Sequence, residues 1–161
     1  MKTTSTQGGI SMRKAESQEL LHLLGSDVSP VRATLYLRAP RTPISSRGKR
    51  RSRLRELERL RAEAEHAIAR LSDSPLWWRA IDWSEIEAAT CETGVAVFVS
   101  PSGALWTPAP LIEESLVCVA DSFHVKPVVN WLQAPGSFLH LHLVREEATP
   151  PATQNPPVVA T

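Results

Sequence analysis

Residues 94–107, GVAVFVSPSGALWT, decide the fold. The run 94–99 is continuously apolar, Pro101, Ser102 and Gly103 supply turn chemistry, and 104–107 resumes the apolar pattern, so the stretch predicts a β-hairpin. Upstream, residues 31–37 alternate, with Ala33, Leu35 and Leu37 set against Thr34 and Tyr36, which predicts another strand. Downstream, 116–120 and 138–144 carry the apolar character of two more.

Helices fill the intervals. Leu20, Leu21, Leu23 and Leu24 give residues 15–24 an apolar face, and Gly25 suits the helix end. Residues 51–71 hold the clearest helical spacing, with Leu54, Leu57, Leu60 or Arg61, Ala64, Ala67 or Ile68, and Leu71 three or four apart, before Ser72–Pro75 stops it. Residues 76–89 predict one or two short helices whose Trp77, Trp78, Ile81, Trp83 and Ile86 pack over a sheet, and 127–132 a short helix with proline at its first position. The fold class that results is α/β (α+β): a single two-layer domain, a mixed sheet of about five strands with helices packed on it.

Length and composition agree with that. The 161 residues suffice for one core; 1–14 and 146–161 are too polar or proline-rich to join it and are expected to be disordered, leaving 15–145 as the domain. A hydrophobic fraction of 42% is ordinary for a globular protein, and a net charge of +1 gives no whole-molecule preference for nucleic acid. The first twelve residues lack the apolar run of an export signal and no stretch of eighteen apolar residues occurs, so the expectation is a cytoplasmic protein without membrane contact. Cys91 and Cys118 are isolated, lacking the paired spacing of zinc ligands or a redox motif, and are expected to be reduced, buried thiols.

Residue types that carry catalysis do not assemble into a pattern with a mechanism. His22 and His66 fall on predicted helix faces without acidic or cysteine partners; His140 and His142 share a strand face but lack the third ligand that zinc requires. No glycine loop has phosphate-cradling spacing, and no serine lies in a nucleophile elbow. No enzyme activity, cofactor or metal is therefore expected.

Charge is the informative feature. Arg38, Arg41, Arg47, Lys49, Arg50, Arg51, Arg53, Arg55, Arg59 and Arg61 place ten of the eighteen basic residues within the twenty-four positions 38–61, which cover the loop 39–48 and much of the helix that follows it. Cations at a helix N-terminus oppose the macrodipole by about 0.3–1 kcal/mol each, so stability alone would not select them. One reading is a solvated face in which Arg55 pairs with Glu58 and Arg61 with Glu65. The other is a phosphate-contacting element formed by Arg38, Arg41, Arg47, Lys49, Arg50, Arg51 and Arg53. No aromatic residue lies between Tyr36 and Trp77 to stack a base, so backbone contact without sequence readout is what such an element would give.

A resemblance bears on the partner. Residues 116–132, LVCVADSFHVKPVVNWL, resemble a stretch in bacterial members of the archaeo-eukaryotic release-factor-like family. There a hydrophobic strand leads to a small or acidic residue, Phe-His, an apolar residue, Lys-Pro and a short apolar helix; the matching positions here are Asp121, Phe123, His124, Val125, Lys126 and Pro127. Residues 30–40, PVRATLYLRAP, and 94–101, GVAVFVSP, are similar in order and spacing to two strands of that family's N-terminal domain. The resemblance spans about residues 17–143. It implies a ribosome-associated role, with this chain corresponding to the first of three domains and the middle and C-terminal domains absent. The Gly-Gly-Gln tripeptide on which the family's peptide release depends is missing, since Gln7, Gly8 and Gly9 stand in the wrong order. The expected function is a non-enzymatic domain that associates with the ribosome or structured RNA; the alternative is a protein-interaction or self-associating module, or a degenerate fragment.

Overall fold

Ser46 sets the start of the long helix. Its backbone is extended (φ −127°, ψ 151°) and its hydroxyl accepts from the Lys49 N–H at 3.3 Å, satisfying one donor that a first helical turn leaves free. The helix, α2, therefore spans Arg47–Leu71, beginning at Arg47 rather than at the expected Arg51. Its buried stripe is Arg53, Leu57, Leu60, Ala64 and Ile68, three and four residues apart, so an arginine occupies the first position of the apolar seam.

The computed structural model describes Ile10 and residues 12–128. In chain order these form β1 (Met12–Lys14), α1 (Ser17–Ser26), β2 (Arg32–Leu37), α2, α3 (Leu76–Arg79), α4 (Ser84–Ala89), β3 (Val95–Ser100), β4 (Gly103–Pro108) and β5 (Leu116–Ala120). The strands build one mixed sheet in the order β1-β4-β3-β2-β5: β1 runs parallel to β4 and every other neighbouring pair is antiparallel. The hairpin of 94–107 is present, with Val95 opposite Pro108 and Ser100 opposite Gly103.

β3 is buried along its whole length, which explains its unbroken apolar run: both faces of the sheet are covered. Ala33, Leu35 and Leu37 of β2 and Val95, Val97 and Val99 of β3 pack in one cluster with Leu57, Leu60, Ala64 and Ile68 of α2, Trp78 of α3, Ile86 of α4 and Trp83 just before α4. The tryptophans are core residues here, with Trp78 and Trp83 edge to face at 5.2 Å. Tyr36, Ala96 and Phe98 point the other way, into a second cluster with Leu20, Ala109 and Val128. α1 and the segment after β5 thus cover the second face of the sheet.

Further corrections concern the chain's start and its ion pairs. Met12–Lys14 was expected to lie outside the domain, yet it is an edge strand: Met12 is 5% exposed, and the Ala15 N–H donates to the Trp106 carbonyl at 2.9 Å. Ile10 bridges to Ile81 ahead of it. A three-residue strand carries too little alternation to be detected. Arg61 pairs with Glu87 at 3.5 Å and stacks over Trp83, while Glu65 accepts from Arg79 at 2.8 Å, so these charges dock α2 onto α3 and α4 instead of pairing with each other. Cys91 and Cys118 are free but only half-buried. The predicted strand 138–144 with His140 and His142, the later part of helix 127–132 and the tail 146–161 lie outside the described residues.

Gly94 fixes how closely the start of β3 approaches its surroundings. A Cβ there would lie 2.4 Å from the Ala109 carbonyl oxygen and 2.9 Å from the Ala39 nitrogen, both backbone atoms, while the Gly94 carbonyl accepts from the Ala109 N–H at 2.8 Å. Gly94→Ala is expected to lower the unfolding free energy by about 1–3 kcal/mol, the usual cost of overpacking, in a urea titration followed by tryptophan fluorescence.

Candidate functional site

The basic loop and helix start are organised by one carboxylate. Glu56 accepts from the Arg38 Nε at 3.3 Å, from the Arg53 Nη1 at 3.3 Å and from the Ser115 hydroxyl at 2.7 Å. Ser115 Oγ in turn accepts from the Arg38 N–H at 3.2 Å, so the end of β2, the approach to β5 and α2 meet at one point. Arg53 is 7% exposed and spends its remaining donors on backbone: Nε on the Thr90 carbonyl at 3.0 Å and Nη2 on the Arg38 carbonyl at 2.7 Å.

This sorts the predicted contact residues. Arg53 is withdrawn from the surface, and Arg38 is half-buried and committed to Glu56; neither is a free phosphate contact, which corrects that part of the sequence reading. The correction has a geometric cause. At about 100° per residue, position 53 falls on the stripe of 57, 60, 64 and 68 that faces the sheet, whereas position 51 falls on the opposite side. Arg41, Arg47, Lys49, Arg50 and Arg51 are exposed. The first turn of α2 contains no acidic residue. Among the described residues, the side chains of Arg41, Arg47, Arg50 and Arg51 meet no ion-pair partner, and Lys49 Nζ reaches only the Thr42 hydroxyl, at 3.5 Å.

Loop 39–46 and α2 border an open hollow of about 220 Å³ lined by Arg38, Pro40, Arg41, Thr42, Ile44, Lys49, Ser52, Arg53 and Glu56. A second hollow, of about 510 Å³, shares Arg38, Pro40 and Arg41 with the first and is bordered by Glu113 and Glu114.

The motif segment after β5 has a different role. The Thr34 hydroxyl accepts from the His124 N–H at 3.0 Å and the Tyr36 hydroxyl donates to the His124 carbonyl, so His124 is held through its backbone while its ring packs edge-on against Tyr36. Phe123 packs edge-on against Phe98 at 5.8 Å and lies under the Arg32 guanidinium. Lys126–Val128 is a turn in which Val128 is buried, and Asp121, Lys126 and Pro127 are exposed. These positions strap the segment over the second face of the sheet; they do not converge with the basic loop. Burial, with a smaller contribution from Cys118, pushes the Tyr36 hydroxyl far above its ordinary value, consistent with a donor to a carbonyl.

No protein-family model, curated protein or solved structure matches the chain. Among the described residues no group of three or more His, Cys, Asp or Glu is placed to hold a metal ion, and no helix is long and apolar enough to cross a membrane.

Sequence reasoning missed Glu56 and Ser115. The available signal was Glu56 three residues after Arg53, but spacing alone cannot show that Arg38 and Ser115 arrive at the same carboxylate. Burial alone would raise the Glu56 carboxyl; the hydrogen bonds from Ser115 and Arg38 and the charges of Arg38 and Arg53 outweigh it and hold the group below the ordinary carboxylate range. Because the folded value is depressed, the stabilisation is present above the unfolded carboxylate pKa and is lost as pH falls through the folded one. Asp27 is also depressed: burial raises it, and hydrogen bonds from Ser100 and Ser29 overcome that, so it adds to the same acid loss. Glu56→Gln is expected to cost about 2 kcal/mol at neutral pH and to flatten, without abolishing, the fall in stability as pH drops through and below the ordinary carboxylate range, as measured by denaturant titrations across pH.

Proposed function

We propose that the domain is a non-enzymatic, cytoplasmic binding domain that associates with the ribosome or structured RNA by contacting phosphates through Arg41, Arg47, Lys49, Arg50 and Arg51. The observation that carries this reading is the set of exposed cations on one loop and one helix start, without acidic partners, where the macrodipole disfavours them. Their neighbours Arg38 and Arg53 carry out the structural work, so the exposed five are free for a ligand. The release-factor-like resemblance points the same way, towards a translation-related role.

Contact of this kind is electrostatic and sequence-tolerant. Guanidinium groups bind phosphate oxygens bidentately and release counterions, and no aromatic side chain stands among these cations to read a base.

The test is the salt dependence of binding to ribosomal RNA. Affinity should fall on a log–log plot with a slope of about 0.7–0.9 per phosphate neutralised. Changing Arg47, Arg50 and Arg51 together to Gln should lower that slope by about two to three and weaken binding uniformly across sequences, with the fold unchanged because exposed charges contribute little to stability. Parent and variant that bind equally, or not at all, would overturn the reading and favour a protein partner.

A further inference from the structure

The cavity between loop 39–46 and α2 differs in kind from the open rim formed by Arg47, Arg50 and Arg51. Arg38, Arg41, Lys49 and Arg53 line it against the single carboxylate of Glu56, leaving three positive charges in excess around about 220 Å³. The hollow is small and open to solvent, a shape that admits a compact anionic group reaching in from outside. The adjoining hollow shares Arg38, Pro40 and Arg41 and is bordered by Glu113 and Glu114, which do not line the α2 side; Lys49 and Arg53 line the α2 side alone.

Helix geometry gives the cause. Positions 49, 52, 53 and 56 fall within about 100° of arc, so the register that buries Arg53 turns Lys49 towards the loop while Arg51 faces away. Arg53 and Arg38 are fixed by Glu56 and by backbone carbonyls and cannot leave to find other partners. Their charge is a permanent part of the cavity wall. Lys49 beside Thr42 and the exposed Arg41 stand at its mouth, free to close on a ligand.

We propose that this cavity is a binding site for a terminal phosphate group, gripped by Arg41 and Lys49 at the mouth, with Arg38 and Arg53 fixed behind them. A terminal phosphate carries about two negative charges near neutral pH and three strong acceptor oxygens, whereas a bridging phosphodiester carries one charge, so the terminal group matches the excess better. Such a group can come from the end of an RNA chain or from a free phosphorylated compound. The choice of RNA as natural carrier rests on the reading given under Proposed function; the site itself does not.

Titration calorimetry on the full chain separates the cases. Pyrophosphate should bind with one-to-one stoichiometry, and a 5′-phosphorylated RNA should bind more tightly than the same RNA ending in a 5′-hydroxyl. Arg41→Gln with Lys49→Gln should weaken pyrophosphate by about tenfold or more for each cation removed and erase the preference for the phosphorylated end. Arg47, Arg50 and Arg51 changed to Gln should leave pyrophosphate binding within about twofold while weakening both RNAs. Pyrophosphate binding without any RNA binding would support the site, make its ligand a free phosphorylated compound, and overturn the RNA reading alone. RNA binding that ignores the 5′ end, with no uptake of pyrophosphate, would overturn the site and leave the RNA reading standing. Loss of pyrophosphate binding in the rim variant equal to that in the cavity variant would also overturn it, because the anion would then sit on the open surface.

Discussion

A buried guanidinium constrains this fold more than any other single group. Arg53 enters the apolar seam of α2 at the point where the helix leaves the sheet, and its donors reach the end of β2, the residues after α4 and Glu56. A charge in that position is tolerable only when it is paired and its donors are satisfied, because the desolvation penalty of an unpaired ion is several kcal/mol. Satisfying them forces three separate pieces of chain to present carbonyls or a carboxylate at fixed positions. Arg38 and Ser115 are then recruited to the same carboxylate.

The surface follows from that constraint. Once position 53 is turned inwards, helix geometry sends Arg51 outwards and aims Lys49 at the loop, so one run of basic residues divides into an anchored pair, a cavity and an exposed rim. Glu56 neutralises only one of the charges it gathers. The remainder is an electrostatic field held on a rigid wall, which costs no reorganisation when an anion arrives.

Much of the architecture was legible because periodicity and turn chemistry record it directly. The hairpin at 94–107, the alternation at 31–37 and the long α2 all appear where their patterns place them. Met12–Lys14 left no such record, since its place depends on hydrogen bonds to β4 and not on its own three residues. The packing of the segment after β5 over Tyr36 and Phe98 was also hidden: it depends on Thr34 and Tyr36 capturing the backbone of His124, 90 and 88 positions away. In the candidate site the charge cluster was legible and its division was not. Arg53 and Arg51 look alike in sequence; only the continuation of the stripe of Leu57, Leu60, Ala64 and Ile68 towards the N-terminus distinguishes them.

Arg53→Met tests the account most directly, by measuring unfolding free energy and ribosomal RNA affinity on the same variant. Removing the guanidinium leaves the carbonyls of Arg38 and Thr90 without their donor and Glu56 with one cation fewer, while the outward-facing arginines are untouched. The account predicts a loss of about 3 kcal/mol in a denaturant titration, with the folded protein's affinity for RNA ending in a 5′-hydroxyl, which does not use the site beside Arg53, changed by less than about twofold. Unchanged stability together with a clear loss of affinity for that RNA would contradict it, because Arg53 would then be a contact residue of the open rim and not the anchor of the fold.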